Sequence, residues 1–192
     1  TPNRADCLGV RGVARDLAAA GYGTLKPLDT SAHEGSFDSP VTWRLDLDGA
    51  EHLAPLITGI AFRGVTNGPC PDWMARRLKA IGQRPISALV DITNYVMFDL
   101  GRPLHAYDID KIHGSELIVR QADGGEPFAA LNEKTYEMEA GMITIGDAEG
   151  VDDLAGVMGG ERTGVSDGTT GIFLEIAVFD PISVATTGRK LN

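Results

Sequence analysis

The chain has 192 residues, 43% hydrophobic and 23% charged, an ordinary globular balance that allows one sizeable core, or one domain plus part of another. Acidic residues outnumber basic ones 27 to 17, for a net charge of −10, and no basic run goes beyond Arg76-Arg77, which argues against a broad grip on a nucleic-acid backbone. The apolar runs are too short to span a bilayer, no charged-then-apolar leader opens the chain, and Cys7 and Cys70 form neither a disulfide framework nor a metal spacing, so a cytoplasmic protein is expected.

In chain order, Asn3 to Gly21 is predicted as a helix capped by Asp6, with Leu8, Val13 and Leu17 apolar. Gly9 and Gly12 inside it predict close packing against another element. Residues 26–40 are rich in Pro, Ser, Asp and Gly and are expected to form a linker. From Val41 the pattern alternates: Val41, Trp43, Leu45 and Leu47 face one way and Thr42, Arg44, Asp46 and Asp48 the other. This predicts a half-exposed strand closing on an Asp-Gly turn. A second strand is expected over Leu56–Val65, broken by Gly59. A helix capped by Asp72 follows, with Met74, Leu78 and Ile81 on one face and Gly82 as its stop.

The stretch from Arg84 to Asp108 predicts a Ser87-capped helix with an apolar stripe of Leu89, Ile92, Val96 and Leu100, stopped by Gly101. Asp91, Thr93, Asn94 and Tyr95 then lie on or beside another face, and Pro103 stiffens the extended segment that carries His105. Beyond it the pattern is mostly β. Strands are expected at Glu116–Ala122, at two short segments flanking Asn132-Glu133, at Met142–Gly146, at Leu154–Gly160 and at Ile172–Phe179. A last helix starts at Asp180-Pro181. The fold class expected is α+β, with a mixed β-sheet or β-sandwich core and flanking helices.

Glu175 stands out. In IFLEIAVF, apolar residues on both faces mark a central strand, where a carboxylate without a partner costs several kcal/mol, roughly, in lost solvation. Either a structural ion pair with an arginine such as Arg84 or Arg120, or a ligand-binding role, explains it. Gly159 and Gly160 mark tight backbone or a place where a side chain would obstruct a ligand. His105 has no metal-like spacing to His33, His52 or His113, and no G-x-S-x-G or Cys–His arrangement supplies a nucleophile.

Five stretches together carry a resemblance: RPISALVDITNYVMFDLGRPLHAYD, NRADCLGVRGVARDLA, LIVRQADGGE, LAGVMGGE and FLEIAVFDPISVATTGRKL. They resemble, in order and over nearly the whole chain, the editing module of bacterial phenylalanyl-tRNA synthetase β subunits. The resemblance implies a fold of the synthetase β-subunit editing type. Residues 1–25 would belong to an adjoining helical domain, 26–40 to a linker, and 41–192 to an editing domain truncated at its C-terminus. It implies hydrolysis of the ester of tyrosine misattached to the tRNA for phenylalanine. Glu175 would accept the tyrosine phenol, Gly159 would leave room for the substrate, and Arg84 would bind it. His105, Asn94 and Thr93 would act at the ester as the catalytic set. No cofactor is implied for this chain; ATP and magnesium belong to the parent's catalytic subunit. The partners implied are the α subunit, in a heterotetramer built from two kinds of subunit, and the 3′ end of the tRNA.

A water assisted by the substrate's ribose hydroxyl is the expected nucleophile, with His105 and Asn94 orienting the ester. Arg102 and Tyr107 depart from the expected glutamine and phenylalanine. Thr1 in place of Met, and Asn192 following directly on a helical pattern, predict a piece of a longer chain that ends before a last pocket segment. The competing expectation is a non-catalytic module that binds a free aromatic amino acid or the tRNA 3′ end. A free-standing hydrolase is a third.

Overall fold

The computed structural model describes residues 3–191. They group into two compact units, the first made of Thr1–Asp38 with Gly68–Leu104 and the second of Ser39–Asn67 with His105–Asn192. Gly68–Leu104, which lies inside the expected 41–192 domain, therefore groups with the N-terminal segment.

In the first unit, the expected single helix over Asn3 to Gly21 is two pieces. A short 3₁₀ turn, Ala5–Leu8, precedes α1, Val10–Ala19, and Gly9 between them is extended at φ −107° and ψ 151°. Asp6 does not cap; its carboxylate takes the Arg4 and Arg15 guanidinium groups instead. The two glycines explain the break. A Cβ on Gly9 would stand 2.4 Å from the Gly101 nitrogen, and one on Gly12 would stand 1.7 Å from the Asp6 carbonyl oxygen. Residues 23–35 carry no regular structure. Helix α2, Asp72–Ala80, buries Met74 and Leu78, but Ile81 lies beyond its end and is exposed. Asp72 opens the helix rather than capping it, and Pro71 holds the cap position.

Helix α3, Ala88–Leu100, ends at Gly101, left-handed at φ 70°, whose N–H donates to the Met97 carbonyl at 2.8 Å. Its faces differ from expectation. Asp91 is fully buried and Ile92 is exposed. Both Asp91 carboxylate oxygens accept the Ile86 N–H, at 3.0 and 3.1 Å, whereas Ser87 holds the N-cap position without a side-chain bond. The acid instead satisfies a backbone donor in the turn after Pro85, just before the helix and near its positive end.

The second unit is a sandwich. One mixed sheet runs β1 (Thr42–Asp46), β4 (Glu116–Gln121), β7 (Ile143–Asp147), β8 (Gly150–Leu154) and β9 (Met158–Gly159), with only the β1–β4 pair parallel. The other is antiparallel and runs β2 (Leu56–Arg63), β10 (Gly171–Val178) and β3 (His105–Asp108). Leu47, Leu117, Val119, Ile145, Tyr107 and Phe173 form the core of this unit, with Trp43 tilted against Phe173 at 5.4 Å. Leu45 shares the alternation of Val41 and Leu47 but is exposed on the edge strand. A hairpin of β5 (Pro127–Ala129) and β6 (Thr135–Glu137) closes a smaller cluster around Phe128, Met138 and Leu154. Gly59 does not break β2; a Cβ there would lie 2.1 Å from Phe173 Cζ, so its bareness admits that ring. Helix α4, Pro181–Lys190, is capped by Asp180, which accepts the Ser183 N–H at 2.7 Å.

One strand was misplaced by the sequence. The expected strand Leu154–Gly160 is the second half of a hairpin, with β8 ending at Leu154, a turn through Gly156 at φ +71°, and only Met158–Gly159 returning as β9. The alternation of apolar residues hid β8, because its interior positions are Asp152 and Asp153, both buried.

Candidate functional site

Strand β10 is central, and its register sets Glu175 beside His105 on β3 and beside Gly59 on β2. Phe173 and Tyr107 are the next such pair along. Alternation therefore puts Glu175 and Phe173 on one face of β10, with His105 and Tyr107 on the same face of β3. Glu175 is 7% exposed. Arg120, one of the two arginines considered as its structural partner, is committed to Glu126, with its Nη1 3.3 Å from the carboxylate. Arg84 is exposed and lies in the first unit.

The hairpin β8–β9 brings a second group to the same place. The His105 ring lies edge-on to the Tyr107 ring, with centroids 4.4 Å apart. His105 Nε2 is buried 3.5 Å from Asp153 Oδ1 and has no hydrogen-bond partner among the described residues. Asp153 is held from two other sides: its Oδ1 accepts the Gly160 N–H at 3.0 Å, and its Oδ2 accepts the Tyr107 hydroxyl. Gly159 backs the histidine, since a Cβ on it would stand 2.5 Å from His105 Cε1 and 3.1 Å from Asp153 Oδ1. Burial first, and then the Asp153 carboxylate beside it, push the Tyr107 phenol well above its usual range, so it stays a donor.

A charged network lies next along β8. The Arg162 guanidinium makes a two-pronged bond to Asp147, at 2.6 and 3.0 Å, and approaches Asp152 Oδ1 at 2.6 Å. The His113 N–H adds a bond to Asp147 at 2.7 Å. Burial raises the Asp152 carboxyl to about 7 against the pull of Arg162, while Asp147, with Arg162 and two backbone donors on it, is held below the usual carboxylate range.

The six expected site residues divide between the units. His105, Glu175 and Gly159 come together in the second; Thr93, Asn94 and Arg84 belong to the first. On α3 the Thr93 hydroxyl donates to the Val90 carbonyl at 2.8 Å, and Asn94 follows it, half-buried. Sequence reasoning missed Asp153, Asp152 and Arg162. Their only signal was an acidic pair between Val151 and Leu154, a pattern that reads as a loop. It named Tyr107 merely as a departure, with no hint of the carboxylate it meets. A group of Asp6, Cys7 and Asp16 has metal-ligand types within reach of one another, but Arg4 and Arg15 already neutralise its carboxylates.

Comparison with known proteins adds the lineage. The chain is 53% identical over its full length to the phenylalanine–tRNA ligase β subunit of Paramagnetospirillum magneticum, and equally to that of Brucella abortus. It spans 24% of the length of each. The crystal structure of an N-terminal fragment of the phenylalanyl-tRNA synthetase β subunit from Pyrococcus horikoshii matches 98% of this chain and 58% of that one, with a TM-score of 0.55 at 16% identity, a likeness of fold. The B3/4 domain model matches residues 53–192, and the chain belongs to that family.

Proposed function

We propose that this chain is the editing module of a phenylalanine–tRNA ligase β subunit, and that it hydrolyses the ester of tyrosine misattached to the tRNA for phenylalanine. The observation that carries the reading is Glu175, a buried carboxylate on the central strand, in register with a histidine and followed along the same face by the Phe173–Tyr107 pair. An apolar slot distinguishes poorly between two amino acids that differ by one hydroxyl. A buried acceptor distinguishes well, because phenylalanine entering it would strip water from the carboxylate and return no hydrogen bond. Selection therefore falls on the error, by the group the correct amino acid lacks.

In this mechanism Glu175 fixes the phenol end, and the bare backbone of Gly159 lets the His105 ring sit against it beside the aminoacyl group. His105 orients the ester for attack by a water that the substrate's own ribose hydroxyl assists. Activation with ATP and magnesium belongs to the catalytic α subunit of the parent ligase.

The test is hydrolysis of tyrosyl and phenylalanyl esters of the tRNA by the full-length ligase carrying Glu175→Ala. Loss of the preference for the tyrosyl ester is expected, by 10²-fold or more, roughly, for a site built around one buried hydroxyl contact. Unchanged discrimination would remove Glu175 from the role.

A further inference from the structure

We propose that Asp153 is the positioning residue of this site: its carboxylate, anchored by the Tyr107 hydroxyl and the Gly160 N–H, holds the His105 imidazole with Nε2 turned inward and Nδ1 presented to the substrate. The inference rests on the editing reading above and deepens it.

Three observations support it. Asp153 is buried, and a buried carboxylate is retained only where donors surround it. Two donors are supplied, by Tyr107 and Gly160, and the third polar atom facing it is His105 Nε2 at 3.5 Å. A nitrogen aimed at a carboxylate carries the proton, so Nδ1 becomes the acceptor of this histidine. Nε2 is buried while 22% of the His105 side chain remains exposed, so the exposed part of the ring lies away from Asp153. Gly159 admits the ring in this position, because the ring occupies the space a side chain there would take.

The approach is longer than a strong hydrogen bond, as is common before a substrate settles in a site. An acceptor nitrogen at this place suits the donors around an aminoacyl ester, namely the ribose hydroxyl and the attacking water. Asp153 touches neither. It acts through the ring it orients, and Tyr107 and Gly160 fix where it stands.

The experiment compares tyrosyl-ester hydrolysis by the full-length ligase, its Asp153→Asn variant, and the double variant Tyr107→Phe/Asp153→Asn. Asp153→Asn is expected to lower kcat by about 10²-fold and leave KM within about two-fold, the signature of a misoriented reacting group on a substrate held elsewhere. The double variant removes the hydroxyl that needs a carboxylate, so it keeps the fold even where the single variant loses it. It stays as slow as the single one if Asp153 serves His105. Recovery of the parent kcat in the double variant overturns the inference and leaves Asp153 a partner of Tyr107 only. A parent ligase that does not hydrolyse the tyrosyl ester overturns the editing reading itself. A parent that hydrolyses it, and keeps its rate on Asp153→Asn, overturns the Asp153 assignment alone.

Discussion

Gly159 and Gly160 are adjacent, yet their bareness serves different ends. A methyl on Gly159 would meet the ends of side chains, His105 Cε1 at 2.5 Å and Leu131 Cδ1 at 3.0 Å, which can turn aside. A methyl on Gly160 would stand 2.1 Å from the Asp152 carbonyl oxygen, within the hairpin's own backbone, which cannot. Gly159→Ala is therefore expected to cost less than about 1 kcal/mol of stability, whereas Gly160→Ala costs roughly 1–3 kcal/mol or more. Chemical denaturation of the two variants measures the difference. Hydrolysis of the tyrosyl ester should fail in Gly159→Ala despite its intact fold, because the displaced imidazole and the new methyl both enter the proposed substrate space. Equal stability of the two variants would show that the hairpin yields more easily than its packing indicates.

At the scale of elements, β8 marks where sequence reading ended and structure began. Among the described residues, strands β1, β2, β4 and β10 and the four α-helices announced themselves through apolar period or turn residues, and Gly101 and Asp180 marked helix ends by plain local chemistry. Strand β8 did not, because burial there falls on Asp152 and Asp153. Charge is a sign of solvent in a sequence; here long-range partners reverse it, and those partners, Arg162 and Tyr107, stand 10 and 46 residues away. Asp91 deceived in the same way, since its reward is a backbone N–H in the preceding turn. Glu175 was legible because the strand around it is so apolar that an acid there demanded an explanation. Asp152 of β8 also sets a pH dependence. Asp152 titrates near 7 in the folded chain, from a usual value of 3.8. A raised carboxyl holds its proton in the folded state after the unfolded chain has lost it, so its contribution to stability falls as pH rises from about 4 to about 7 and is level above. Asp152→Asn, which cannot ionise, should thus gain stability over the parent as pH rises from 5 to 8. Thermal unfolding at both ends of that range reads the gain, at roughly 2–4 °C per kcal/mol for a chain of this size. A constant offset between variant and parent would place the titration elsewhere.

At the scale of the whole molecule, the acidity is unevenly shared. The first unit holds nine Lys and Arg against eight Asp and Glu, and the second holds eight against nineteen, a net charge of −11. The unit that carries Glu175, Asp153 and His105 is thus the one least suited to a phosphate backbone. On the proposed function this is a division of labour: other parts of the ligase hold the tRNA, and this unit receives only its aminoacylated end. Charge then makes a distinctive prediction about salt. A protein that neutralises phosphates loses affinity steeply as salt rises, because it releases counterions on binding. A strongly acidic unit receiving a short oligonucleotide repels it, and added salt screens that repulsion over a Debye length that shrinks from about 10 Å at 0.1 M to about 3 Å at 1 M. For a tyrosyl ester on a short 3′-terminal oligonucleotide, kcat/KM should therefore rise with ionic strength, by about two-fold between 50 and 300 mM salt. The same quantity for the complete tRNA should fall, since its phosphates are gripped elsewhere. Steady-state hydrolysis of both substrates across a salt series decides the matter. A short substrate whose kcat/KM drops with salt would mean that this chain grips phosphates itself, and that the surplus of acid in its second unit faces away from the substrate.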